Sequence, residues 1–81
     1  MLEVRLLHKP GCHLCEMAER DLASLQRRYP HRLSLVDITS DPRLVERYGE
    51  RIPVVQVGGQ EYGAPLPRAA LERALRAACS T

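Results

Sequence analysis

Along the first residues, hydrophobic and polar positions alternate: Leu2, Val4 and Leu6 stand against Glu3 and Arg5, and Leu7 follows. A two-residue period predicts a strand, because successive side chains point to opposite faces of a sheet. Lys9-Pro10-Gly11 breaks the run and the period then changes. From Cys12 to about Tyr29, the apolar residues Leu14, Met17, Ala18, Leu22, Leu25 and Tyr29 recur every three or four positions. That spacing predicts an amphipathic helix with these six on its buried face. Glu16 and Glu19 come early and Arg27 and Arg28 late, matching the helix dipole, and Pro30 ends the pattern.

A second strand is predicted over Leu33-Ser34-Leu35-Val36-Asp37-Ile38, rich in branched apolar residues. Asp41-Pro42 resembles an N-cap followed by proline at the first helical position, with Leu44, Val45 and Tyr48 as the apolar face and Gly49 at the C-cap. A third strand runs from Pro53 to Val57, and Gly58-Gly59 turns it into a fourth around Gln60 to Tyr62. Pro67 opens a last helix that buries Leu71, Ala74, Leu75 and Ala78. The order is β-α-β-α-β-β-α. A right-handed crossover makes the first two strands parallel, and the closing hairpin adds an antiparallel pair. The expected architecture is α/β: a four-stranded mixed sheet with helices on both faces, the minimal thioredoxin-like arrangement, in one domain over residues 1–81.

Composition narrows the function classes. At 81 residues and 44% hydrophobic, the chain is near the lower limit for a self-sufficient core. Twelve basic residues, eleven of them arginine, nearly balance ten acids for a net charge of +2, which gives no case for nucleic acid. No apolar stretch is long enough to span a bilayer. The chain enters a strand at Leu2 without a charged n-region or an apolar h-region, so a cytoplasmic location is expected. There a C-x-x-C is more often catalytic or metal-binding than a staple. Three cysteines make no disulfide framework, and Cys79 is left over as a free thiol in the final turn.

The chemistry concentrates in Cys12-His13-Leu14-Cys15, at the junction of the first strand and first helix. A helix N-terminus carries unpaired N–H groups and partial positive charge, which favour a thiolate in its first turn. Two cysteines at this spacing can close a small disulfide ring, and the same spacing is half a zinc site. Zinc needs four ligands, and no second pair has metal spacing. The helix start, Lys9 upstream and His13 next door can all lower the Cys12 pKa. Cys15 lies one turn inside and should be less exposed, so Cys12 is expected to attack and Cys15 to resolve.

Taken together, Lys9-Pro10-Gly11-Cys12-His13-Leu14-Cys15, then Arg51-Ile52-Pro53-Val54-Val55, then the Gly58-Gly59 hairpin make the chain resemble the glutaredoxin branch of the thioredoxin superfamily. It is most similar to small glutaredoxin-like proteins with C-H-L-C in place of C-P-Y-C. The resemblance implies a thiol–disulfide oxidoreductase working through a reversible Cys12–Cys15 disulfide, with no resident cofactor and glutathione as a possible co-substrate. It makes Pro53 a cis-proline facing the dithiol, and has Ile52 offer its backbone N–H and C=O to a substrate strand. Lys9 falls where such proteins keep a basic residue, and Arg51 is a candidate for steering an acidic or glutathione-like partner.

One departure matters. Where the family carries Gly-Gly-x-Asp to hold glutathione, this chain has Gly63-Ala64-Pro65-Leu66 without an acid. A protein disulfide, or exchange with another dithiol protein, gains weight accordingly. The expected partners are a protein or small-molecule disulfide and a thiol reductant, from the glutathione or thioredoxin system, acting on a monomer. Metal or iron–sulfur cluster handling and a non-catalytic interaction module are the alternatives. Of the remaining residues, Tyr29 and Tyr48 are expected to pack on the sheet, His8 to be a rim or packing residue, and Tyr62 to lie near the active-site rim.

Overall fold

The alternation at the start of the chain becomes the central strand. In the computed structural model, which describes residues 1–79, β1 (Leu2–His8) pairs in parallel with β2 (His31–Asp37) and antiparallel with β3 (Val54–Val57). β4 (Gln60–Gly63) then pairs antiparallel with β3, for a sheet order β2-β1-β3-β4. Three helices complete the fold: α1 (His13–Ser24), α2 (Pro42–Tyr48) and α3 (Arg68–Cys79). The element order and the mixed sheet are those expected.

Each face of β1 builds its own core. Val4 and Leu6 face α1 and α3, where Ala18, Leu22, Leu71 and Leu75 close a dry cluster. Leu7 points the other way, against Ile38, Tyr48 and Val54. Polar Glu3 and Arg5 stay exposed between them. The hairpin follows its sequence signal: Gly58 and Gly59 adopt φ of +58° and +77°, as a two-residue turn between antiparallel strands requires. Gly58 also lies under α3, where an added Cβ would sit 3.0 Å from the Ala78 Cβ.

Several boundaries differ from expectation. α1 ends at Ser24 and does not reach Tyr29. The Ser24 hydroxyl donates to the Asp21 carbonyl at 2.8 Å, and the Leu25 and Gln26 N–H groups take carbonyls three residues back, tightening the last turn. A separate turn then carries Tyr29 onto the larger core. Leu14 and Met17, expected on the buried face, are 59% and 42% exposed. Val45 on α2 is exposed too, leaving Leu44 and Tyr48 to pack.

β2 starts earlier, at His31, whose Nδ1 donates to the Tyr29 carbonyl at 2.7 Å, and stops at Asp37. There the Asp37 carboxylate accepts from the Thr39 N–H and hydroxyl, bending the chain into a short 3-10 turn at Ile38–Ser40. β3 begins at Val54, because Pro53 has no N–H for the ladder. Asp41 caps α2 as expected, its carboxylate accepting from the Arg43 N–H at 2.9 Å. Gly49 closes α2 in the right-handed region, at φ −50°, so no left-handed residue is needed there.

Among the described residues no helix is long and apolar enough to cross a membrane.

Candidate redox site

The strand-to-helix junction is built by a four-residue turn. Pro10 stands at its second position and Gly11, at φ +78°, at its third, where a positive φ is required. The Cys12 N–H closes it onto the Lys9 carbonyl at 3.3 Å. Cys12 is thereby left in extended geometry as the N-cap of α1, its carbonyl taking the first helical bond from the Glu16 N–H. Helix caps normally use an oxygen of Ser, Thr, Asp or Asn. Here the Cys12 sulfur takes that place and accepts the Cys15 N–H at 3.2 Å.

Cys12 and Cys15 are joined as a disulfide, with Cα atoms 5.2 Å apart, inside the usual range. The two sulfurs are not equivalent. Cys15 is 2% exposed and sits in the base of the helix, whereas Cys12 is only partly covered. A backbone N–H directed at the Cys12 sulfur and the positive end of α1 both favour a thiolate there after reduction.

Sheet register brings the second half of the site alongside. Leu7 of β1 is opposite Val54 of β3. One residue further, the chain leading from His8 to the dithiol therefore runs beside Pro53. Pro53 is fully buried, and the Ile52–Pro53 peptide is cis. The Ile52 side chain packs in the smaller core, and its N–H donates to the Tyr48 carbonyl at 3.2 Å. A substrate strand taking that N–H would have to displace this bond.

The other candidates are dispersed. Lys9 is exposed at the start of the turn, and its ammonium makes no ion pair among the described residues. The His13 ring lies 3.9 Å from the Glu16 carboxylate, both well exposed. Arg51 lies 3.7 Å from Glu61 and over the Tyr48 ring, where its charge is already engaged. Hydrogen bonds from Gln56 and Tyr48 hold the Glu61 carboxyl below its ordinary value. Tyr62, expected at the rim, pairs with Val55 and so shares its face, packing against the larger core and lining a cleft with Ala74 and Ala78 of α3. His8 is half-buried at the end of β1.

What the sequence reading missed is a groove of about 410 Å³ beside the dithiol. Leu14 and Met17 of α1 form one wall, Pro53 the floor, and Pro65, Leu66 and Pro67 the other wall. The available signal was Ala64-Pro65-Leu66-Pro67, an apolar segment poor in N–H donors between a strand and a helix. Among the described residues no three His, Cys, Asp or Glu side chains gather as metal ligands would.

A mixed sheet in this order, flanked by helices on both faces and carrying Cys12–Cys15 at the first helix start, is a thioredoxin-like fold with a thiol redox site. A crystal structure of a protein from X. campestris superposes with a TM-score of 0.77 at 33% identity, covering 91% of this chain and 96% of that one. The oxidised mitochondrial thioredoxin 3 of Saccharomyces cerevisiae gives a TM-score of 0.70 at 24% identity over 94% and 77% of the two chains, a likeness of fold alone. The model of the glutaredoxin-like domain (DUF836) matches residues 3–76, and the chain belongs to that family. An uncharacterized protein of Mycobacterium tuberculosis is 31% identical over 65 residues, which are 74% of this chain and 67% of that one.

Proposed function

We propose that the protein is a dithiol–disulfide oxidoreductase in which Cys12 attacks and Cys15 resolves. The observation that carries this reading is the asymmetry of the pair: a partly exposed sulfur capping a helix, bonded to a backbone N–H, beside a buried one. The Cys12 thiolate attacks one sulfur of a substrate disulfide, and the other leaves as a thiolate that takes a proton. Cys15, deprotonated, then attacks the Cys12 sulfur, forming Cys12–Cys15 and releasing the second substrate thiol. Two electrons pass from protein to substrate, and a thiol reductant restores the dithiol.

In this reading Lys9 raises the local positive charge near Cys12, His13 adds to it only when protonated, and Ile52 with Pro53 borders the approach. Arg51 is a weaker contributor, since Glu61 already balances it. The substrate is a protein disulfide in preference to glutathione. A Cys15→Ser variant should accumulate a mixed disulfide through Cys12, visible by mass spectrometry, and a Cys12→Ser variant should reduce nothing. Equal reductase activity in both variants would remove the role assignment. Comparing recovery of the dithiol with glutathione and with thioredoxin plus its reductase tests the partner, and faster recovery with glutathione would reverse that preference.

A further inference from the structure

The sheet ends on two edges that differ in length and in protection. β4 is four residues long and Pro65 follows it closely. Short strands and prolines both keep an edge from pairing with another chain. β2, the opposite edge, is seven residues long, His31-Arg32-Leu33-Ser34-Leu35-Val36-Asp37, and holds neither proline nor lysine. Its inner side pairs with β1 along its whole length. Among the described residues no strand pairs with its outer side, and no backbone hydrogen bond of a turn or loop reaches Arg32 to Val36. Leu35 is the register partner of Leu6 and shares its face, yet stays 45% exposed where Leu6 is fully buried. An apolar side chain and a run of open N–H and C=O groups thus lie together, the combination that strand addition uses.

The pattern of β2 specifies what fits there. Two copies joined by a two-fold axis perpendicular to the sheet run antiparallel at the join, and opposed residues share a face. The pairing must therefore be centred on a residue and not between two. Centring on Ser34, the middle of β2, opposes all seven residues, whereas centring on Leu33 or Leu35 leaves two of each strand unopposed. With Ser34 at the centre, Leu33 of each copy lies opposite Leu35 of the other. Arg32 lies opposite Val36 and Asp37 opposite His31, so no like charges meet.

We propose that β2 is the edge through which two copies of this chain join, in place of the expected monomer, as a two-fold dimer with a continuous eight-stranded sheet, four strands from each copy. The dithiol follows the end of β1, and the strands reverse direction across the join, so the two redox sites lie at opposite ends of that sheet. The inference stands independently of the oxidoreductase reading.

Sedimentation velocity of the full chain over a roughly hundredfold dilution series tests it, since self-association makes the apparent mass depend on concentration. The mass should reach twice that of one chain at the concentrated end. Leu35→Lys, at an exposed position, should hold it at one chain throughout, with an unchanged far-UV circular dichroism spectrum. In a Cys79→Ser background with Cys12 and Cys15 joined, Ser34→Cys should cross-link two copies under mild oxidation, because that position faces its own counterpart across the axis. Arg32→Cys should not, because its counterpart lies about 13 Å away along the strand, beyond disulfide reach. The mass of one chain at every concentration would overturn the proposal. So would a dimer that survives Leu35→Lys, or equal cross-linking of Ser34→Cys and Arg32→Cys.

Discussion

The two halves of α1 are similarly apolar and use their apolar residues in opposite ways. Toward its C-terminal end, Ala18, Leu22 and the capping Leu25 are at most 1% exposed. Toward its start, Leu14 and Met17 remain 59% and 42% exposed beside the Cys12–Cys15 pair. Full burial of one such side chain contributes roughly 1.5–3 kcal/mol, so leaving two in water forgoes stabilisation that a domain of 81 residues could use. The helix is thus an anchor at one end and a presenting surface at the other. Cys15, buried in the first turn, is where the two uses meet.

The strongest way to separate the halves is to disable each in turn. Cys12→Ser should lower disulfide reduction to the uncatalysed level. Its urea midpoint should stay near that of the reduced parent, because a serine oxygen can still cap α1. An unfolded variant would show that Cys12 belongs to the anchor as well. Leu22→Ala should do the reverse and destabilise by about 2–5 kcal/mol, a large share of a marginal total. Urea denaturation measures it, and a loss under about 1 kcal/mol would mean that the larger core is less tightly built than its burial implies.

A helix start without chemistry sharpens the contrast. At α2 the cap is the Asp41 carboxylate, bonded to the Arg43 N–H. Asp41→Ala should cost about 1 kcal/mol by the same measurement, with the rate of disulfide reduction per folded molecule unchanged. Smaller still, Met17→Gln should shift stability by less than about 0.5 kcal/mol, as for an exposed position. A cost of 2 kcal/mol or more would place Met17 in the core.

The smallest effect is expected on the opposite face of the sheet. Glu61 is held below its ordinary pKa of 4.5, first by the Gln56 amide and then by the Tyr48 hydroxyl. A depressed carboxyl stabilises the fold above its unfolded pKa, and that contribution disappears as the pH falls through the folded value. The stability gap between the parent and Glu61→Gln should therefore be present at pH 7 and should close in acid below pH 4.5. A gap that widens in acid would reverse the assigned sign.

Much of this fold was legible in the chain because its signals are local. The two-residue period of Leu2 to Leu6, the Asp41-Pro42 cap, the Gly58-Gly59 turn and the Leu71, Ala74 and Leu75 stripe all appear where expected. Half of the site was legible too, since Cys12 and Cys15 share one turn. The contacts that the chain did not reveal have a common cause. Tyr62 follows the face of Val55, Arg51 finds Glu61 through the hairpin, and the Ile52 N–H is taken by Tyr48. None of these partners is implied by the pattern around the residue itself.

The sequence by itself determined the order and type of the elements and the position of the dithiol, because helical and strand periods and turn residues act over a few neighbouring backbone units. Only the tertiary structure decided where Leu14 and Met17 lie. Their three- and four-residue spacing placed them on the buried face of α1. Whether a side chain there meets a sheet, solvent or a groove depends on segments distant in the chain. The order β2-β1-β3-β4 brings Pro53 and the Pro65-Leu66-Pro67 wall opposite them, leaving an open cleft where periodicity predicted core.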